Sequence, residues 1–157
     1  MLKSIRKTLR SKKNKYHKRD LVKKLQKDHQ KLLKLFLSLE EAINKKSPSA
    51  IKKLQKFIDE LELHLTLENS QFYAHLESKY RFCNLKIMQE IKEEIPKNAP
   101  LFLQLKKSLE EKKYIEAQAI LNTIRTFLFK RIKFEEEKLY KMYDKIYKCN
   151  EVYLLLR

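Results

Sequence analysis

The sequence predicts an all-α fold, an antiparallel four-helix bundle with a broken third helix, on three observations. First, its 157 residues include no Gly, so hairpin turns that need a positive φ are hard to make. Second, four stretches repeat apolar residues at three- and four-residue steps, the spacing of a buried helical face. Third, short polar turns or prolines separate those stretches, as in bundles with short connections. The absence of Gly also excludes phosphate-cradling loops, whose backbone must approach the ligand closely. The length fits one domain with a substantial core.

The first helix is expected from Asp20, as N-cap, to Ile43, with Leu21, Leu25, His29, Leu32, Leu33, Phe36 and Leu39 on its stripe. Ser47-Pro48 signals the next start, with Ser as N-cap and Pro at the first helical position. Helix two then carries Ile51, Leu54, Phe57, Ile58 and Leu61 and ends near Ser78. Helix three is expected in two pieces, because Pro96 and Pro100 fall inside its pattern. Its first piece, 82–95, holds Leu85, Met88, Ile91 and Ile95; its second, 101–111, holds Leu103, Leu105 and Leu109. Helix four starts near Tyr114 and continues through Ile115, Ile120, Ile124, Phe127, Leu128, Leu139, Met142 and Ile146.

Charge divides the chain unevenly. Its formal charge is +17, and nine of its basic residues lie in the first nineteen positions, with no acid among them. Residues 1–19 therefore read as a basic arm, 20–148 as the bundle and 149–157 as a C-terminal tail. The arm is either a solvated terminus or an electrostatic foot for nucleic acid or an anionic membrane surface. The two cysteines, Cys83 and Cys149, form no motif, which favours a reducing compartment. No apolar run approaches the ~20 residues of a membrane span, and the amino terminus lacks the apolar segment of a secretory signal. A cytoplasmic protein is expected.

The chemistry lies in the polar residues that interrupt the stripes. His29 does so on helix one, His64 and Glu68 on helix two, Arg131 and Glu135 on helix four, the last two pairs each one turn apart. A core excludes a carboxylate unless it is paired or metal-bound. Bundle cores hold metal sites built from facing helices, and imidazole with carboxylate suits iron, manganese or zinc. Glu90, Glu93 and Glu94 are available on helix three. Each residue also has a plainer reading: a hydrogen-bonded core His, or an Arg131–Glu135 buried ion pair. His17 and His75 are left out of the set; His75 lies nearly two turns beyond Glu68.

Asp28-His29, then His64-Leu65-Thr66-Leu67-Glu68-Asn69 followed by Phe72-Tyr73, then Arg131-Ile132-Lys133-Phe134-Glu135-Glu136 followed by Leu139-Tyr140, resemble the hemerythrin HHE-type domain over residues 20–143. The resemblance implies the same four-helix bundle and a non-haem di-iron centre that binds oxygen, or senses oxygen or iron. Position by position it implies His29, His64 and Glu68 as ligands, with Glu135 as the acidic ligand of helix four. Arg131 stands where an oxygen-carrying hemerythrin has a His. The helix-three histidines are absent, and only Glu90, Glu93 and Glu94 stand in that region. Arg stays protonated and cannot ligate, so a reversible oxygen carrier with five histidines is not expected.

Three functions follow as expectations. The first is an iron-binding, hemerythrin-like sensor or regulator, its cofactor iron or di-iron. The second is a metal-free helical module binding a transcription factor or another protein, on a weaker resemblance to regulator of sigma D proteins. The third is a polyanion binder acting through residues 1–19. An enzyme is not expected: no nucleophile with a neighbouring base can be read, and the paired Glu-x-x-His spacing of di-iron oxidases is missing.

Overall fold

A computed structural model describes residues 18–79 and 85–145. Residues 1–17 of the basic arm, Cys83 and the C-terminal tail with Ile146 and Cys149 lie outside the described residues. Within them the chain is all-α, with no strand. Helix α1 is Lys18–Asn44 and α2 is Ala50–Leu67. The second run continues through a π-helical segment, Glu68–Tyr73, into α3, Ala74–Lys79. Helices α4, Leu85–Lys97, and α5, Ala99–Glu110, are the two pieces expected around Pro96 and Pro100. Helix α6 is Tyr114–Phe134, followed by a second π-helical segment, Glu135–Leu139.

Pairings between helices set the register. Asp28 stands by His64 and Lys31 by Glu60, so residue numbers on α1 rise as those on α2 fall. The same holds against the fourth run, where His29 meets Glu136 and Glu40 meets Arg125. Helix α1 is thus antiparallel to both. From the third run, Lys92 meets Glu77 while Phe102 stacks on Phe57, which runs it antiparallel to the second.

Two turns show how a chain without Gly closes a helix. Lys46 and Lys112 take positive φ, 51° and 56°. Ser47 N–H donates to the Ala42 carbonyl at 2.8 Å and Lys113 N–H to that of Ser108 at 2.8 Å. These are the bonds of a left-handed C-terminal cap, a position at which Gly avoids the Cβ penalty. Ser47 was expected to cap the next helix with Pro48 at its first position, but that helix starts at Ala50 with Ser49 as N-cap. Ser47 Oγ accepts from Ser49 N–H at 3.2 Å in the turn before it. Asp20 does not cap α1, because the chain is already helical at Lys18, the first described residue.

Several stripe positions differ from the sequence reading. Leu103 and Ile115 are 72% and 87% exposed. Phe102 and Ala117 are buried in their place, at the correct three- and four-residue steps from Leu105, Leu109 and Leu121. Ile51 lies at the surface, next to buried Ala50. A small Ala carries little apolar signal, so the apparent phase shifts where Ala marks the inward face.

The core is split in two. One cluster joins Leu32, Phe36 and Leu39 to Leu54, Phe57, Leu61, Phe102, Leu105, Leu121, Ile124 and Leu128. The other joins Leu21, Val22 and Leu25 to Phe72, Tyr73, Leu76, Met88, Leu139, Tyr140 and Tyr143. Along each of α1, the second run and the fourth run, the polar interruptions fall between the two clusters. They form one charged layer across the bundle.

Candidate metal centre

The layer is fully enclosed. His29, His64, Glu68, Arg131 and Glu135 are each at most 4% exposed. One ligand atom from each of His29, His64, Glu68 and Glu135 lies within 4.8 Å of the others. The four residues that the spacing singled out on helices one, two and four therefore converge. Their placement follows from the stripe: His29 sits between Leu25 and Leu32 on α1, and His64 between Leu61 and Glu68 on the second run, so packing carries them inward.

Arg131 bridges the two carboxylates. Its Nε donates to Glu135 Oε1 at 2.7 Å, and its Nη2 donates to Glu68 Oε2 at 2.8 Å. Its Nη1 donates to the Ile91 carbonyl on α4 at 3.2 Å. The tyrosines complete the arrangement crosswise. Tyr73 Oη, on the second run, donates to Glu135 Oε1 at 2.7 Å; Tyr140 Oη, on the fourth, donates to Glu68 Oε1 at 3.0 Å.

Each imidazole has a carboxylate near its outer nitrogen, hydrogen-bonded at His29 but only within ion-pair distance at His64, whose Nδ1 has no hydrogen-bond partner. His29 Nδ1 is 2.8 Å from Glu136 Oε1, which leaves Nε2 facing inward, 3.3 Å from Glu135 Oε2. His64 Nδ1 is 3.8 Å from Asp28 Oδ2, and its Nε2 is 3.6 Å from Glu68 Oε2. A carboxylate behind an imidazole fixes its tautomer and orients its other nitrogen, the usual support of a metal-ligating His. Sequence reasoning assigned no role to Asp28 or Glu136. Their adjacency to His29 and Glu135 was visible, but only packing shows which His each one meets.

The charges are strongly coupled. Burial pushes the Glu135 carboxyl up, but Arg131, His29 and the Tyr73 hydroxyl outweigh it and hold it at about 2. Burial and the nearby charge of Glu135 push Glu68 the other way, above the usual carboxylate range. Burial disfavours a charged His29, yet Glu135, Glu136 and Glu68 raise its pKa. Burial and the two carboxylates push the tyrosine hydroxyls up, so Tyr73 and Tyr140 remain neutral donors. Asp28 is lowered: burial opposes this, but His64 and Lys24 prevail.

Glu90, Glu93 and Glu94 do not join the four. Met88 and Ile95 are the buried positions of α4, and none of its glutamates is grouped with the four ligand atoms. Glu90 is exposed. Glu93 accepts from Gln89 at 2.8 Å and lies 3.5 Å from Lys97 at the surface. Helix three contributes a backbone carbonyl instead, that of Ile91.

Both π segments open at a site carboxylate, Glu68 and Glu135. A π turn adds a residue to the helical repeat and is frequent at functional sites. Here it adds Tyr73 and Tyr140 to the buried face beside Phe72, Leu76 and Leu139, and Tyr143 is enclosed where the stripe held Met142. Both bonding tyrosines follow their carboxylate by five residues, the π-helical hydrogen-bond step.

The donor set could hold a metal ion. Glu135 Oε2 is buried without a hydrogen-bond partner, and the His29 Nε2 beside it can serve as a second ligand atom. Two imidazoles and two carboxylates are a mixed nitrogen and oxygen set, chemistry that fits a transition metal. No helix among the described residues is long and apolar enough to cross a membrane. No curated protein and no solved structure matches the chain. The model of the hemerythrin HHE cation-binding domain matches residues 20–143, which include all five residues of the charged layer. The chain belongs to the hemerythrin HHE cation-binding domain family.

Proposed function

We propose that the protein binds iron in the charged layer and acts as a sensor or regulator whose bundle responds to occupancy. The carrying observation is the convergence of His29, His64, Glu68 and Glu135, all buried, with ligand atoms within 4.8 Å. Two imidazoles in the set favour iron over magnesium or calcium, which take oxygen ligands. Tyr73, Tyr140, Asp28 and Glu136 orient the set from outside. An ion that binds the folded state alone stabilises it, so occupancy alters the energetics of every helix that lends a ligand. The test is metal analysis of protein purified without a chelating column. Iron should accompany the protein, a chelator should lower its melting temperature, and His64→Ala should abolish both retention and the chelator effect.

A second reading is a metal-free protein-binding module. It is favoured by Arg131, whose guanidinium already satisfies one oxygen of each buried carboxylate. On that reading no metal is retained, chelator changes nothing and His64→Ala is mild.

A further inference from the structure

Two halves of the charged layer share one spacing. His64, Glu68 and Tyr73 on the second run repeat as Arg131, Glu135 and Tyr140 on the fourth. Each tyrosine donates to the carboxylate of the other half, Tyr73 to Glu135 and Tyr140 to Glu68. Arg131 is thus the positional counterpart of His64. The two halves differ in what surrounds them. On the His64 side, α1 adds a second imidazole, His29, whose ring centroid lies 4.7 Å from that of His64. On the Arg131 side, α4 adds only the Ile91 carbonyl, which already accepts from Arg131.

From this asymmetry we propose that the centre holds one metal ion, beside His29 and His64, and that the Arg131 guanidinium stands in place of a second. The proposal rests on the cation-binding reading above and sets its stoichiometry. Arg131 cannot ligate, because it keeps its proton. It nonetheless does what a bridging cation would do, joining Glu68 to Glu135 through Nη2 and Nε. Those two bonds take one oxygen of each carboxylate. A second ion on that side would have to displace a buried guanidinium from both carboxylates, stranding its charge. It would find no imidazole among the described residues of α4, and no glutamate of α4 grouped with the site. The His29 side is different. There Glu135 Oε2 has no hydrogen-bond partner, and two imidazole nitrogens face the carboxylates at 3.3 Å and 3.6 Å.

The experiment loads the full chain with ferrous iron, removes the excess and lets the bound metal oxidise in air. Iron per chain is then compared with the spin count from electron paramagnetic resonance. An isolated high-spin ferric ion is visible, whereas a coupled ferric pair is silent. We expect one ion per chain and a spin count equal to the iron content. Two ions per chain with a silent spectrum would overturn the one-ion inference and leave cation binding intact. No retained iron in a chain that circular dichroism shows to be folded would overturn both. Arg131→His, which gives the fourth run the same His-x-x-x-Glu as the second, should raise the content to two and quench the signal. A folded Arg131→His chain that still holds one visible ion would overturn the role given to Arg131. Should that variant not fold, the iron content and spin count of the unaltered chain decide: one visible ion per chain upholds the inference, and a silent pair overturns it.

Discussion

The two halves of the bundle core are made of different materials. In one, Phe36, Phe57, Leu54, Leu105 and Ile124 pack with no polar atom among their side chains. In the other, Tyr73, Tyr140 and Tyr143 are fully enclosed beside Phe72 and Leu76. The apolar half is regular α-helix, closed by the turns at Lys46 and Lys112. The tyrosine-bearing half contains both π segments. The charged layer accounts for the difference. A core without polar atoms needs only volume and phase, so 3.6-residue spacing suffices. A buried carboxylate needs donors aimed at it, and Tyr is a large apolar side chain with one polar tip. The π turns bring that tip to the layer.

The sharpest way to break the comparison is Arg131→Ala in chelator-treated protein. It leaves two buried carboxylates without their bridging cation and should cost about 3–5 kcal/mol, the scale for breaking a buried pair. Added metal should recover part of the loss. Urea unfolding measures both, and a cost below about 1 kcal/mol would mean the layer is not held by this pair. In the apolar half, Leu54→Ala should cost about 2–5 kcal/mol by lost burial and a cavity. That loss should be the same with metal or chelator, since Leu54 packs in the apolar cluster. A metal-dependent cost there would show that the halves are not separate.

Tyr73→Phe keeps the ring and removes one hydrogen bond to a charged group, so about 1.5–3 kcal/mol should be lost. Tyr140→Phe should match it if the crosswise arrangement is energetically even, and a double variant would measure the coupling.

Acid separates the two carboxylates by sign. Glu135 is lowered in the folded state to about 2 from 4.5, so its contribution is present above 4.5 and is lost as pH falls towards 2. Glu68 is raised, so protonating it stabilises the fold as pH falls from its raised value towards 4.5. In chelator-treated protein, Glu135→Gln should flatten the loss below pH 4.5, and Glu68→Gln should remove the gain above it. The smallest effect belongs to the turns of the apolar half. Lys112→Gly relieves a left-handed side chain and should stabilise by up to about 1 kcal/mol, offset in part by a more flexible unfolded chain.

The sequence by itself determined the all-helical fold, the break at Pro96 to Pro100, and the five residues of the layer. The reason is that a helix repeats every 3.6 residues, so a His or Glu on an apolar stripe is marked as buried by its spacing alone. The chain also carries the repeat of His64, Glu68 and Tyr73 as Arg131, Glu135 and Tyr140, whose meaning emerges only once the tyrosines meet the opposite carboxylates. Tertiary structure decided the rest. A uniform helical period cannot foresee a π turn, so the stripes passed over Tyr73 and Tyr140, both buried. Helix three was expected to supply Glu90, Glu93 or Glu94 but supplies the Ile91 carbonyl, because a backbone acceptor leaves no mark in a sequence. Asp28 and Glu136 gained their partners only when α1 met the other helices. Composition and period set which face is buried. The hydrogen bonds within the layer depend on the relative height and rotation of four helices, and those are fixed only by packing.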